Sequence, residues 1–258
     1  MLISMLLYLK KDIVIGFGEI GSPLYKLFSK ALIVEGHDLN PKLIPKKFKK
    51  NSSLEIRFIH ICIPFTKNFI SQIKKFVKEF EPQGVVIHST IQPSTTSNIQ
   101  KQIKIPIIYS ATRGVHKRML LDMKKYTKFF AIEKNAPNKK WACTEFQQLL
   151  KNSGLRGKQM SSPITLELGK IVCDTSYYGW LINFAQMSAM IAKKQNVDYD
   201  EMWSFAEEIH KYLGNRPKLY PGFIGGHCVI PNLELLDDNS LNQIDEINNL
   251  FKTFLKKK

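Results

Sequence analysis

Cys228 lies near the end of the chain in the segment YPGFIGGHCVIPN, where three of the five positions from 222 to 226 are glycine. Glycine loses more conformational freedom on folding than any other residue, so its concentration beside a thiol needs a physical reason. One interpretation is that the glycines let backbone amides approach a ligand and leave the sulfur accessible. A thiolate in that setting can attack an aldehyde and carry it to the acid level as a thioester. The other interpretation is a loop with an incidental buried cysteine.

Lys170 and Asp174 are four residues apart in a segment with helical periodicity. Side chains at i and i+4 share one face of a helix. The lysine could stabilise an oxyanion and the aspartate could accept or relay a proton, which are the two roles that oxidation through a thioester requires. The same spacing is also common in exposed ion pairs that have no catalytic role.

A second group of glycines, Gly16, Gly18 and Gly21, follows the first predicted strand and opens the first predicted helix. In this GxGxxG pattern the first glycine permits a tight turn, the second lets a pyrophosphate approach the backbone, and the third lets helix and strand pack closely. We expect Glu19 and Ile20, which lie between the second and third glycines, to contact the cofactor at the helix amino terminus. An ordinary strand-to-helix turn is the alternative interpretation.

Asp38 ends the second predicted strand, 17 positions after Gly21. An acidic residue at about 20 positions from this motif binds the hydroxyls of the adenosine ribose. Its charge would repel a 2′-phosphate, so NAD is expected rather than NADP, although Lys42, Lys46 and Lys47 weaken that preference. The sequence therefore predicts a nicotinamide dinucleotide site, and it offers no spacing typical of a metal site.

The elements that must position these residues change character along the chain. Up to about residue 133, short apolar runs alternate with helical stretches, which predicts a doubly wound, Rossmann-type parallel sheet. From Ser161 onward helices take over, beginning with one apolar run of roughly 30 residues. We therefore predict an α/β fold with a dinucleotide-binding domain, residues 1–160, followed by a small all-helical domain, residues 161–258, with one long central helix. The predicted strands are DIVIGFG, ALIVEGHD, IRFIHICIP, GVVIHST, IPIIYSA and KFFAIE.

The chain of 258 residues is 44% hydrophobic and carries a formal net charge of +16, almost all of it from lysine. Nucleic-acid-binding proteins usually cluster arginine, whereas the lysines here are spread along the chain, so no nucleic-acid partner is expected. The excess charge fits a solvated surface or a general attraction for anionic small molecules.

The four cysteines show neither CxxC pairs nor zinc-ligand spacing, and Cys62 and Cys173 lie in apolar runs that predict core positions. The absence of a disulfide pattern favours a reducing cytoplasm. The opening segment MLISMLLYLKK is too short to span a bilayer and lacks the features of a signal peptide, and no later segment approaches a membrane span. A cytoplasmic protein without a membrane partner is therefore expected.

The order of these features resembles the UDP-glucose/GDP-mannose dehydrogenase family, which oxidises the alcohol of a nucleotide sugar to a carboxylate with two NAD. GFIGGHCVIPN is similar to the family's motif around its catalytic cysteine, at Cys228, and ELGKIVCD resembles the stretch with its catalytic lysine, at Lys170. IHICIPF and IHSTIQPSTT look like the family's strand ends at the nicotinamide side. The resemblance implies that Pro64 and Ser89 contact the cofactor and that Thr90 serves both cofactor binding and catalysis.

The chain departs from the family pattern at catalytic positions. Asp174 stands where the family has asparagine and Asn232 where it has aspartate, so the acid and the amide are exchanged. Thr112 replaces a glutamate that the family uses in the hydrolytic step, and no acidic residue occurs from Pro82 to Leu121. His116 or His227 would have to substitute for that glutamate.

Three functions follow from these observations. The leading one is an NAD-dependent dehydrogenase that uses Cys228 on an alcohol or aldehyde of a sugar or nucleotide-sugar derivative. The others are a two-electron hydroxyacid dehydrogenase that uses Lys170 alone, and an NAD-binding module that has lost turnover. The resemblance is to a short form without the family's third, nucleotide-binding domain, and it implies a homodimer built on the long helix between about Pro163 and Lys194.

Overall fold

The structure is a computed structural model and describes residues 10–45, 54–214, 221–226, 228–236 and 239–256. Lys46, Lys47 and His227, which the sequence singled out, lie outside these residues. The chain divides into two compact units, Met1–Lys170 and Ile171–Lys258. The expected domains, 1–160 and 161–258, stay a prediction, because compactness alone does not show that either part folds by itself.

The first unit is built on a seven-stranded sheet with the order β2-β1-β3-β4-β5-β6-β7. The neighbouring strands from β2 to β5 pair in parallel, as expected for apolar runs that are covered on both faces. The Rossmann-type, doubly wound fold predicted from the sequence is confirmed. The strands are β1 Lys10–Ile15, β2 Ile33–His37, β3 Glu55–Ile61, β4 Gly84–Ile87, β5 Ile107–Tyr109, β6 Lys128–Ile132 and β7 Gly157–Gln159.

The sheet differs from the prediction at its far end. β6 runs antiparallel to β5, with Tyr109 opposite Ala131. A parallel strand would need a connection that returns to the amino edge of the sheet, whereas residues 110–127 begin and end at the carboxyl edge. β7 was not predicted, because its three residues are polar or glycine and have no apolar alternation.

Apolar residues of the parallel strands fill both faces of the sheet. Val14 and Phe58 belong to one buried cluster, whereas their chain neighbours Ile13, Ile15 and Ile59 belong to another. Because successive strand residues point to opposite faces, a continuous apolar run supplies both clusters. The helices of this unit are α1 Gly21–Phe28, α2 Phe69–Phe80, α3 Thr95–Gln100, α4 Met119–Lys125, α5 Lys139–Asn152 and α6 Pro163–Leu168, with 3₁₀ turns at Pro41–Leu43 and His116–Arg118.

The long helical run predicted from Pro163 is present but is not uniform. After α6 it continues as a π-helix, Gly169–Ser176, and then as α7, Tyr177–Lys194. π-helical turns are rare and occur frequently at functional sites. Lys170 and Asp174 both lie in this π-helix rather than in the predicted α-helix.

The second unit contains three further helices and a small apolar core. These helices are α8 Tyr199–Leu213, α9 Val229–Leu233 and α10 Asn239–Lys256. Residue types that favour helix caps stand at both ends of α8: the Asp198 carboxylate accepts a hydrogen bond from the Glu201 amide, and the helix ends at Gly214 with φ of 66°. The core consists of Ile224, Val229, Leu233, Leu241 and Ile244.

Two sequence expectations concern burial and membrane association. Cys62 is buried as expected. Cys173 was also expected in the core but is exposed, on the solvent side of the π-helix. In the part of the chain that the structure describes, no helix combines the length and the apolar content that crossing a membrane would need.

Candidate functional site

The glycine loop after β1 has the geometry that a dinucleotide cradle needs. Gly16 has φ of 90°, a left-handed conformation that L side chains rarely adopt, and its amide donates to the His37 carbonyl at 2.9 Å. A Cβ on Gly21 would overlap the Gly16 carbonyl oxygen. The first and third glycines are therefore required by the fold of the loop itself.

Gly18 differs from the other two glycines, because the packing of the loop leaves its position open. It is exposed, and no atom lies within 4 Å of the place where its Cβ would stand. A side chain there would meet only the space above the loop, where the pattern places a pyrophosphate. The residues present therefore fit a dinucleotide, with the open position at the second glycine where a phosphate must approach the backbone.

Asp38 ties the end of β2 to this loop. Its Oδ2 accepts a hydrogen bond from the Phe17 amide at 2.6 Å, and its Oδ1 accepts one from the Asn40 amide at 2.7 Å. A carboxylate oxygen has more than one acceptor position, so these bonds leave capacity for a ribose hydroxyl. The aspartate lies at the end of the second strand, as predicted.

Glu19 and Ile20 lie at the start of α1 and have different environments. Ile20 is half-buried and packs against the apolar cluster under α1. The Glu19 carboxylate contacts His116 Nδ1 at 2.9 Å, and both side chains are partly exposed. His116 is thus at the rim of the glycine loop, and a carboxylate on its Nδ1 is compatible with a base, so the role of hydrolytic base that the sequence suggested for it stays a prediction.

The loops that follow β3 and β4 lie side by side at the carboxyl edge of the sheet. The Ser89 hydroxyl donates to the Ile63 carbonyl at 2.5 Å and joins the two loops. Pro64 is exposed, and Thr90 is half-buried with no hydrogen-bond partner for its hydroxyl among the described residues. Pro64, Ser89 and Thr90 therefore lie at the carboxyl ends of the strands, the edge at which ligands of open α/β sheets bind, and their contact with a cofactor stays a prediction.

Glu167, the first residue of the ELGKIVCD stretch, has a carboxylate that joins two helices of the first unit. Glu167 Oε1 accepts hydrogen bonds from the Thr96 amide at 2.9 Å and the Thr96 hydroxyl at 2.6 Å, and Oε2 accepts one from the Ser94 amide at 2.6 Å. Burial raises the pKa of Glu167, and these hydrogen bonds oppose that shift. The carboxylate fastens α6 to the amino end of α3, and Lys170 follows three residues later.

A buried row of polar residues crosses the sheet beneath the same edge. Arg57 donates to both oxygens of Asp12, at 3.0 and 2.8 Å, and Asp12 Oδ2 also contacts His60 Nε2 at 3.0 Å. His60 Nδ1 in turn lies 3.0 Å from His88 Nε2. Burial disfavours ionisation of Asp12, but the Arg57 charge and the hydrogen bonds outweigh it and lower the pKa of Asp12 to about 2.

The two histidines of this row are held neutral. Burial lowers the pKa of His60 and lowers that of His88 well below its usual value, and the charge of Lys128 adds to both shifts. His88 Nδ1 lies 3.2 Å from the Ser110 carbonyl, which is a hydrogen bond if that nitrogen carries the proton. The sequence signal that could have found this row is a histidine inside each of two apolar strand runs, His60 in IRFIHICIP and His88 in GVVIHST.

Thr112, which the sequence resemblance aligned with a glutamate, lies just after β5. Its amide donates to the His88 carbonyl at 3.1 Å, and its side chain is buried. The Thr112 hydroxyl accepts a hydrogen bond from Lys128 Nζ at 3.2 Å. A buried lysine therefore lies next to the position of the missing carboxylate.

In the second unit, Cys228 precedes α9 as its N-cap residue and is half-buried. Gly226 has φ of 76°, so a glycine is required there, whereas a Cβ on Gly222 would have no atom within 4 Å and one on Gly225 would meet only the Phe223 ring. Asn232 is half-buried on α9, four residues after the cysteine. The glycines keep the segment before the thiol open rather than tightly packed.

Three buried amides hold the glycine segment in place. Asn248 accepts from the Ile224 amide at 2.8 Å and donates to the Ile224 carbonyl at 3.0 Å. Gln186 Nε2 donates to the Gly222 carbonyl at 2.7 Å, and Asn183 donates to Gln186 Oε1 at 2.8 Å. Amide side chains within apolar helical stripes were a signal for these residues that the sequence analysis did not use.

The predicted site residues thus fall in two places. Those predicted for the cofactor, together with Thr90 and Lys170, belong to the first unit, and Asp174, Cys228 and Asn232 belong to the second. No group of histidine, cysteine and acidic residues among the described residues could hold a metal ion.

The glycine loop, the strand order and the two covered faces of the sheet define a Rossmann-type protein. No protein-family model and no curated protein sequence matches the chain. Solved structures do match it. The structure of UDP-D-ManNAc dehydrogenase from Pyrococcus horikoshii is similar over 95% of this chain and 69% of that chain, with a TM-score of 0.75 and 17% identity.

Two further structures extend the comparison. NDP-N-acetyl-D-galactosaminuronic acid dehydrogenase from Methanosarcina mazei Go1 is similar over 97% of this chain and 68% of that chain, with a TM-score of 0.71 and 17% identity. 3-Hydroxyisobutyrate dehydrogenase from Mycobacterium tuberculosis is similar over 95% of this chain and 93% of that chain, with a TM-score of 0.63 and 13% identity. At these identities the similarity establishes the fold.

Proposed function

We propose that this chain is an NAD-dependent oxidoreductase that acts on a CH–OH group of a sugar or nucleotide-sugar derivative. The observation that carries the proposal is the coincidence of two features. The glycine loop is shaped for a pyrophosphate, with Gly18 open to solvent and Gly16 and Gly21 closed by backbone. The same chain is similar in fold to UDP-D-ManNAc dehydrogenase over 95% of its length.

The first unit supplies the cofactor site in this proposal. The loop from Gly16 to Gly21 receives the pyrophosphate, Asp38 receives the adenosine ribose, and Ser89 and Thr90 lie at the nicotinamide end. NAD, when bound, accepts hydride from the substrate carbon. The partial positive charge at the amino terminus of α1 favours the phosphates. The first turn of this helix contains no acidic residue that would oppose them.

The second unit supplies the covalent step. After a first hydride leaves the alcohol carbon, the Cys228 thiolate adds to the resulting aldehyde, and the Lys170 ammonium stabilises the oxyanion. Loss of a second hydride, which a second NAD would accept, converts the thiohemiacetal to a thioester, and water then releases the carboxylate and restores the thiol. Asp174 relays the proton, in the role that the family gives to an aspartate at the position of Asn232.

A second candidate is a two-electron hydroxyacid dehydrogenase that uses Lys170 without the cysteine. Its support is the similarity to 3-hydroxyisobutyrate dehydrogenase, which covers 93% of that chain and not only a part of it. The two candidates share the cofactor site. They differ in whether Cys228 becomes covalently modified.

The test is a screen of nucleotide sugars and hydroxyacids with NAD, read by the absorbance of reduced nicotinamide. We expect a nucleotide sugar to give a burst followed by a slower steady state, because the segment from Pro82 to Leu121 offers no carboxylate for hydrolysis. Mass spectrometry of quenched enzyme should show added mass on Cys228. The half-buried Cys143, on α5, provides the control variant Cys143→Ser.

The outcomes separate the candidates. Loss of turnover in Cys228→Ser but not in Cys143→Ser supports the covalent mechanism. Turnover of a hydroxyacid by Cys228→Ser at the parent rate supports the two-electron reaction instead. NAD binding without reduction of NAD by any substrate class would leave only a cofactor-binding module.

We also propose a homodimer that is built on α7. Its exposed face carries Tyr177, Phe184 and Ile191 at seven-residue intervals, each more than half exposed. An apolar stripe of this spacing is typical of a helix that packs against a second helix. Light scattering at micromolar concentration should give the mass of a dimer, and Phe184→Lys should give a monomer. A parent protein that is monomeric under those conditions contradicts the proposal.

A further inference from the structure

Two aromatic side chains of α8 are almost fully exposed. Phe205 and Tyr212 have 82% and 81% of their surface exposed, whereas the next most exposed aromatic residue in the described part of the chain, Phe184, has 56%. Large apolar side chains that are exposed together commonly mark a surface that binds a partner. Neither ring belongs to the cofactor site or to the residues that the proposed mechanism uses.

These two rings lie on the outer side of α8. Trp203, on the same helix, is buried and packs against Phe184 and Tyr199, with ring centroids 5.7 Å apart in both pairs. An α-helix turns by about 100° per residue, so Phe205, two positions after Trp203, and Tyr212, nine positions after it, both lie roughly opposite the buried ring. The exposed face of α8 is therefore separate from the exposed face of α7, which packs on the side of Trp203.

Two carboxylates alternate with the rings along this outer side. Glu201, Phe205, Glu208 and Tyr212 follow one another at intervals of four, three and four residues, which places them in one row on the helix. We call these four residues the α8 row. Both glutamates are exposed, and Glu208 pairs with the exposed Lys211 at 3.2 Å, an ion pair of a kind that contributes little and that a competing cation can replace.

The segment that carries the α8 row is acidic, although the chain as a whole is strongly basic. Five acidic residues stand between positions 198 and 208, and no lysine or arginine occurs from Gln195 to His210. The whole chain has 38 lysines and arginines against 22 acidic residues. A cationic partner is therefore attracted to this segment while the chain as a whole repels it, so the local charge selects where such a partner binds.

We propose that the α8 row binds an amphipathic segment of another protein, in which lysine or arginine side chains flank apolar ones. The rings of Phe205 and Tyr212 provide the apolar contact and the aromatic faces that attract a cation. The carboxylates of Glu201 and Glu208 accept hydrogen bonds from the flanking cations. The row extends over about 16 Å of helix, so about three turns of a partner helix can lie along it.

Other occupants fit the charge of the α8 row less well. A second copy of the chain that used this face on both sides of a two-fold axis would bring the carboxylates of two rows together. A membrane with anionic headgroups would be repelled by the same carboxylates, and so would the phosphates of a nucleic acid. A cationic protein segment is the partner that both the rings and the carboxylates favour.

The test measures the binding of a fluorescently labelled helical peptide of about 15 residues, in which leucines share one face and lysines flank them. A second peptide has glutamate in place of lysine, and a third has the composition of the first with its leucines spread around the helix. Fluorescence anisotropy should show that the parent protein binds the first peptide at least about tenfold more tightly than the other two. That affinity should fall as the salt concentration rises.

Two variants separate the contribution of the rings from that of the carboxylates. Phe205→Ser with Tyr212→Ser removes the rings, and Glu201→Lys with Glu208→Lys reverses the charge of the α8 row. We expect each variant to lose at least about tenfold in affinity for the leucine–lysine peptide. The charge-reversed variant should instead gain affinity for the glutamate peptide. All four positions are exposed, so the melting temperatures should match that of the parent protein.

Leu121→Ser and Glu79→Lys are the matched controls, because both side chains are exposed on helices of the first unit, and both variants should bind as the parent protein does. Equal binding of the lysine and glutamate peptides by the parent protein overturns the proposal, and so does unchanged binding in both variants of the α8 row. If one variant does not fold, the other decides.

Two further measurements identify a different occupant. Without peptide binding, a dimer mass in light scattering that is lost when the two rings are removed would make a second copy the occupant. Binding to vesicles of anionic lipid that is lost in the same variant would make the α8 row a membrane contact. Either result overturns the proposal of a cationic protein partner, and neither depends on the proposed function.

Discussion

The Glu167 carboxylate accepts two hydrogen bonds from Thr96, one from the backbone amide at 2.9 Å and one from the hydroxyl at 2.6 Å. With the Ser94 amide as a third donor, it joins the start of the long helical run to the amino end of α3. Thr96 and Glu167 are 71 residues apart in sequence, so this carboxylate, three residues before Lys170, fixes the start of the helical run to a distant segment of the chain.

Glu167→Gln should therefore reduce both stability and activity. The amide keeps the shape but presents an NH₂ group to donors that need an acceptor, which costs about 1–3 kcal/mol. We expect a lower melting temperature and a lower kcat with little change in NAD affinity, since the glycine loop is untouched. The control is Glu79→Gln, an exposed position on α2 that should match the parent protein. Equal melting temperatures for both variants would contradict the anchoring role.

The geometry of the glycine loop predicts that alanine substitutions at Gly18 and Gly21 differ in their effect on stability. Gly18→Ala has open space for its methyl group, so it should leave the melting temperature unchanged while weakening NAD binding, because the methyl group occupies the approach of the pyrophosphate. Gly21→Ala overlaps the Gly16 carbonyl and should lower the melting temperature as well. Calorimetric titration with NAD and thermal denaturation measure the two effects. Unchanged NAD affinity in Gly18→Ala would remove the pyrophosphate from this loop.

Replacement of Lys128 should stabilise the protein. Burial lowers its pKa to about 7 in the folded state, so between that pH and about 10.4 the unfolded chain binds more protons and stability rises with pH. Lys128→Met removes this dependence and should gain on the order of 1–4 kcal/mol at neutral pH and below, less the hydrogen bonds that it loses. Urea denaturation at pH 7 and pH 10 provides the measurement, with Lys124→Met as the exposed control. A loss of stability at pH 7 would mean that the lysine is structural.

Because Asn248 bonds to the backbone of Ile224, its substitution should loosen the segment before Cys228. Asn248→Ala leaves a buried N–H and a buried C=O of Ile224 without partners, which should cost about 2–4 kcal/mol. The adjacent Asn249 is exposed and its side-chain amide donates to Asp245 on the surface, so Asn249→Ala should be close to neutral. Hydrogen exchange should show faster exchange at Ile224 in the first variant only. Similar exchange in the two variants would show that the hydrogen bonds of Asn248 to Ile224 are not needed to hold this segment.

Much of the fold could be predicted from the sequence, because its signals are local. Apolar runs such as IRFIHICIP predict strands buried on two faces, and the spacing of Gly16, Gly18 and Gly21 predicts a turn that the structure contains with the expected backbone conformation at Gly16. The caps of α8 at Asp198 and Gly214 also follow from residue type alone. Each of these depends on neighbours within a few positions.

The tertiary structure decided the rest, because it depends on which distant segments meet. The direction of β6 follows from where residues 110–127 return to the sheet, and that return brings Lys128 to Thr112. The Glu167 contact with Thr96 likewise joins segments far apart in sequence, and the π-helical turn around Lys170 was not predicted. Periodicity and residue spacing by themselves predicted where the chain forms strands and a cofactor loop. Only long-range packing determined that Lys128 is buried and that its hydrogen-bond partners among the described residues are neutral.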